Sequence, residues 1–113
     1  VVLGALPPRA RMRQEPGEIV ELQGPLRSVL RALAKRGITS VLVEGGAHVH
    51  GEFLRRGLWD ELRLFIAPRI AGADALSWAG FAGKRRMQDA LQATLKDIHR
   101  IGPDVLMVLR PKQ

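Results

Sequence analysis

The residues whose types and spacing suggest chemistry are Glu44, Gly45, Gly46 and Ala47, set between the apolar run Ile38–Val43 and a stretch of helical periodicity. Two glycines at such a junction let the backbone approach a ligand without interference from Cβ atoms. The first turn of the following helix then offers N–H groups with no intrahelical partner and the positive end of the helix dipole, which together receive phosphate. The run fits neither G-x-G-x-x-G nor the P-loop spacing, so a tight structural turn stays open as the alternative.

Other candidates are weaker. His48 and His50 stand two apart, so on a helix they face different sides, unlike the i, i+4 histidines of a zinc helix. No metal site is expected. Asp60 and Glu61 adjoin in a strand-like segment and point to opposite faces, which suits structural contacts better than acid/base work. Trp59 and Trp78 read as packing anchors, and Arg9, Arg11 and Arg13 as a solvated loop.

Around the glycines, apolar periodicity defines the scaffold. Val1–Leu3 and Ile19–Leu22 read as short strands separated by a Pro- and Arg-rich loop. Leu26, Val29, Leu30 and Leu33 fall at i, i+3, i+4 and i+7, predicting a helix that Gly37 caps. Ile38–Val43 has the pattern of a strand buried on both faces of a parallel sheet. A second helix is expected from Ala47 to Gly57, with Val49, Phe53 and Leu54 inward, then an alternating strand Glu61–Ala67 stopped by Pro68. Residues 71–90 show no period and read as loop with one helical turn. Leu95–Ile101 and Val105–Leu109 flank Gly102-Pro103-Asp104 as an antiparallel hairpin, giving a mixed α/β sheet in a single domain over residues 1–113.

Composition bounds the function. The 113 residues are 46% hydrophobic and 26% charged, an ordinary globular balance. Apolar runs are too short to span a bilayer, and no signal peptide is read, so a cytoplasmic protein is expected. Without cysteine there are no disulfides, thiolate nucleophiles or cysteine-ligated zinc. The net charge of +7 is scattered, and aromatics are few, so the basic surface fits small phosphorylated ligands better than nucleic acid.

The segments Gly37–Gly46 and Phe53–Pro68 resemble the reductase domain of the bifunctional riboflavin-biosynthesis deaminase-reductase. The shared pattern is a strand ending in Val43-Glu44-Gly45-Gly46, a helix closing on Gly57-Leu58, then Asp60-Glu61 and a strand ending in Ala67-Pro68. A weaker likeness reaches the terminal hairpin and Leu109-Arg110-Pro111. The resemblance implies a dihydrofolate-reductase-like fold and NADPH-dependent reduction of 5-amino-6-(5-phosphoribosylamino)uracil to the phosphoribitylamino compound. Hydride passes in that reaction to the ribosyl C1′ of the opened sugar. It further implies that Glu44 contacts substrate, that Gly45, Gly46, Ala47, His48, Val49, His50, Gly51 and Glu52 wrap the cofactor phosphates, and that the protein is a homodimer.

The chain is about half the length expected of that domain, so a partial domain is expected, a fragment without the strands that carry the remaining substrate and nicotinamide contacts. No H-x-E with a P-C-x-x-C partner is present for a deaminase zinc site. Two other functions stay open: a stand-alone dihydrofolate-reductase-like enzyme acting on another substrate, and a non-enzymatic basic nucleic-acid-binding domain. Choice between NADPH and NADH also stays open.

Overall fold

The computed structural model describes residues 2–3, 8, 18–84 and 86–112. The expected Pro- and Arg-rich loop, apart from Pro8, lies outside them. The chain divides into two compact units, Val1–Leu42 and Val43–Gln113.

In the first unit, β1 (Val2–Leu3) and β2 (Glu21–Leu22) form a short parallel pair. Helix α1 (Leu26–Lys35) follows Pro25, whose carbonyl accepts from Ser28 and Val29. Of the predicted stripe, Leu26, Val29 and Leu33 are at most 8% exposed and Leu30 is half-buried. The helix ends in a Schellman motif, with Ile38 N–H donating to Leu33 O, Gly37 N–H donating to Ala34 O, and Gly37 at φ 79°. Arg36 also pairs with Glu18.

One expectation fails here. Ile38–Val43 is in no ladder among the described residues, and Leu42 is 81% exposed. A strand exists only through its neighbours, and the described strands pair elsewhere: β1 with β2, and the remaining three among themselves.

In the second unit, α2 (Ala47–Arg55) begins where the glycines predict and ends like α1, with Leu58 N–H donating to Phe53 O, Gly57 N–H donating to Leu54 O, and Gly57 at φ 61°. Of the three side chains expected inward, Leu54 is buried and Val49 and Phe53 are half-buried. Glu52 bonds both Arg55 and Arg56 near the carboxyl end of the helix, at 2.8 and 2.7 Å. These bonds, chiefly that from Arg56, hold its carboxyl below the ordinary glutamate range.

Strands β3 (Leu62–Ile66), β4 (Ala93–Ile101) and β5 (Asp104–Pro111) form an antiparallel sheet in the order β3-β5-β4. Gly102 at φ 58° followed by Pro103 makes the hairpin turn type II′, because proline cannot take the second positive φ of type I′. Leu95 pairs with Leu109 and Asp97 with Val108, so Lys96 is the extra residue of a β-bulge. Directly paired residues share a face. The bulge therefore sets both Leu95 and Ile98 beside Met107, Leu109, Leu62 and Leu64, a face that is apolar apart from Arg100 opposite Val105.

Glu61, next to β3, bonds Arg63 at 2.9 Å and Arg110 of β5 at 3.2 Å. This is the structural use expected for it.

Among the described residues the loop between β3 and β4 contains one 3-10 turn, Met87–Asp89, braced by Arg86 on Asp89. It touches α2 at two glycines. A Cβ on Gly51 would lie 2.3 Å from Gly80 O, and Gly80 N–H donates to Ala47 O at 2.7 Å. Among the described residues no helix is long and apolar enough to cross a membrane.

Two outcomes follow. Gly51→Ala forces a methyl against backbone that cannot swing aside, and should cost about 1–3 kcal/mol in denaturant unfolding. Gly46→Ala, with nothing within 4 Å of its Cβ, should stay within about 0.5 kcal/mol of wild type. For Glu61, hydrogen bonds first from Arg63 and then from Arg110 lower the folded-state pKa below the unfolded one. Its ion pairs therefore stabilise above the unfolded value, and that contribution fades as pH falls through the folded one. Carboxyl NMR titration should find Glu61 protonating below an ordinary glutamate, and Arg110→Ala should move it back upward.

Candidate functional site

Glu44 is exposed and stands immediately before the glycine pair. The two glycines serve different needs. A Cβ on Gly45 would lie 2.5 Å from Val49 Cβ, so Gly45 is the residue that lets the chain fold back on the first turn of α2. Gly46 is the N-cap at φ −75° and ψ 179°, a conformation open to any residue, and the space around it is empty. Its carbonyl accepts from His50 N–H at 3.2 Å, the first bond of the helix.

The amino end of α2 is thereby left open. No side chain caps it, and its first turn carries no acidic residue. Within the helix, its first N–H groups and dipole are therefore not opposed by a carboxylate, and the nearest acidic residue along the chain is Glu44, two positions ahead of the N-cap. Nothing lies within 4 Å of a Cβ on Gly46, and uncapped amides at a helix start are groups that bind anions.

The eight residues expected around those phosphates do not stand alike. Gly46 and His48 are exposed at the helix start, with Gly45, Ala47 and Val49 half-buried beside them. His50 is half-buried, its Nδ1 2.9 Å from Trp78 O. Gly51 is buried against Gly80, and the Glu52 carboxylate is held by two arginines. The end open to a ligand thus narrows to Glu44–Val49, with His50–Glu52 engaged in holding the helix.

Sequence reasoning misses Ser77 and Gly80, and it reads Trp78 as a packing anchor and not for its carbonyl. The loop they occupy has no hydrophobic period. The only available signal was Gly80, a residue without Cβ matching Gly51. Trp78 is half-exposed and reaches α2 through its backbone carbonyl. Trp59 is half-buried. A separate polar cavity of about 700 Å³ is lined by Asp60, Glu61, Thr94, Lys96, Arg110, Pro111 and Lys112 and includes none of the glycine-turn residues. Its Glu61 is already bonded to arginine.

Comparison with known proteins places this geometry. Riboflavin biosynthesis protein RibD of Bacillus amyloliquefaciens is 44% identical over 85 residues, which are 74% of this chain and 23% of that protein. The 5-amino-6-(5-phosphoribosylamino)uracil reductase of Buchnera aphidicola is 35% identical over 86 residues, 76% of this chain and 42% of the relative. Form 1 of Acinetobacter baumannii RibD superposes with a TM-score of 0.86 at 28% identity, covering 98% of this chain and 36% of that one. The chain thus spans well under half the length of these relatives. Its α/β architecture is the dihydrofolate-reductase-like fold. Residues 9–107 match the model of the RibD C-terminal domain, and the uncapped glycine-turn helix sits inside that span: the chain belongs to the RibD C-terminal domain family.

Proposed function

We propose that this chain is the carboxy-terminal part of an NADPH-dependent 5-amino-6-(5-phosphoribosylamino)uracil reductase of riboflavin biosynthesis. The observation that carries the reading is the glycine turn at the uncapped start of α2, within a match to the RibD C-terminal domain. The name of the Buchnera relative supports the substrate, a phosphorylated aminopyrimidine.

NADPH supplies the hydride that reduces the ribosyl C1′ of the opened sugar. The residues of this chain hold rather than transform. Gly45 and Gly46 bring the backbone to the cofactor phosphates, and the N–H groups of Ala47, His48 and Val49 receive them. His50, Gly51 and Glu52 complete the same segment from the helix side. Glu44, exposed one residue ahead, accepts hydrogen bonds from the amino, ring N–H or hydroxyl donors of the substrate.

The protein works in the cytoplasm as a homodimer in this reading. The dimer is supported by the apolar sheet face, on which Leu95 and Ile98 are half-exposed.

Two measurements test the proposal. Calorimetric titration should show NADPH binding to the chain, with NADH weaker, and Gly46→Asp should abolish binding. That variant separates binding from folding. Aspartate is a favoured N-cap and meets no neighbour here, so it should preserve or raise stability while its charge opposes phosphate. A folded wild-type chain with no affinity for either nucleotide would overturn the cofactor assignment for this chain. In sedimentation velocity the wild type should run as a dimer and Ile98→Glu as a monomer, and a monomeric wild type would remove the homodimer.

A further inference from the structure

Three contacts join α2 to Ser77–Gly80. Gly80 N–H donates to Ala47 O at 2.7 Å, Gly51 lies against Gly80 O with no space for a Cβ, and His50 Nδ1 is 2.9 Å from Trp78 O. The segment keeps its own shape through Ser77, whose Oγ donates to Ala79 O at 2.9 Å and accepts from Ala79 N–H at 3.3 Å. That local turn fixes where the Trp78 carbonyl points. A carbonyl only accepts, so the His50 bond puts the proton on Nδ1 and leaves Nε2 as an acceptor in the neutral ring.

His48 and His50 lie about 200° apart around the helix axis. With His50 turned to Trp78, His48 faces the opposite side, where it is exposed. The contacts thus grip positions 47, 50 and 51 and leave Gly46 and His48 open. This matters because the helix start has little else to order it. It lacks a side-chain cap and an acidic first-turn residue, and its N-cap is a glycine, the residue that loses most entropy on ordering. Amides that must converge on a phosphate bind well only if they are held in place beforehand.

We infer that His50 is a positioning residue: through Trp78 O it latches Ser77–Gly80 onto α2, and this latch orders the anion-receiving turn that His48 then borders. The inference rests on the cofactor reading above, extends it to residues outside the glycine turn, and gives the two histidines different tasks.

The test uses His50→Leu, His50→Asn and Ser77→Ala, with backbone amide exchange by NMR on the ligand-free chain and NADPH titration beside it. Asparagine places its side-chain N–H near the position of Nδ1 and can bond Trp78 O. In His50→Leu the amides of Gly80 and of position 50, bonded to Ala47 O and Gly46 O, should exchange about three- to tenfold faster, and the NADPH dissociation constant should rise by a similar factor. His50→Asn should restore both, and Ser77→Ala should reproduce the loss with the histidine intact. Unchanged exchange in His50→Leu and Ser77→Ala would overturn the latch. Weaker NADPH binding with exchange unchanged and no rescue by asparagine would also overturn it, making His50 a direct phosphate ligand. Wild-type chain that binds no NADPH would sink the cofactor reading alone, since amide exchange in the free chain still decides whether the latch orders the helix start.

Discussion

Two backbones meet where neither carries a side chain, and the arrangement of the glycine-turn region depends on that meeting. Gly51 lies against the Gly80 carbonyl at a separation that leaves no volume for a methyl group, and the Gly80 amide reaches the Ala47 carbonyl. Close packing of this kind is intolerant because backbone, unlike a side chain, has no rotamer to change. It sets how deeply α2 seats on the loop between β3 and β4, and hence where the amino end of the helix lies in its unit. The glycine pair at residues 45 and 46 then works on a helix already held from the side.

The division of labour along α2 follows from helical geometry. Its first turn has no side-chain cap and no acidic residue, so the positive end of the dipole is left unneutralised by the helix itself. Its carboxyl end carries Arg55 and Arg56 on Glu52, where positive charge complements the dipole and the carboxylate is neutralised. Between them the half-buried and buried positions face the unit. A nine-residue helix thereby separates an open amino end, packing and charge compensation by position alone.

Much of this was legible in the sequence because it is local. The buried positions Leu26, Val29 and Leu33, the terminating glycines Gly37 and Gly57, the start of α2 after the glycine pair and the Gly102-Pro103 turn each follow from neighbours within a few residues. What was not legible depends on distant partners. Ile38–Val43 has the composition of a buried strand, yet pairing is a property of two segments, and no described strand lies beside it. Ser77 and Trp78 act through a turn and a carbonyl, which leave no compositional trace. Glu61 was rightly read as structural, but its partner Arg110 lies 49 positions away and could not be named from the pattern.

The bulge at Lys96 makes the apolar sheet face a matter of counting as well as of chemistry. Leu95 and Ile98 have opposite parity along the chain and would sit on opposite faces of a regular strand; the extra residue brings them together. A relative lacking the residue at 96 would run as a regular strand and present the same apolar face, because the bulge absorbs the extra residue. Between such sequences, an alignment gap at 96 marks the bulge alone and leaves the order of faces unchanged, a conservation of geometry to which percentage identity is blind.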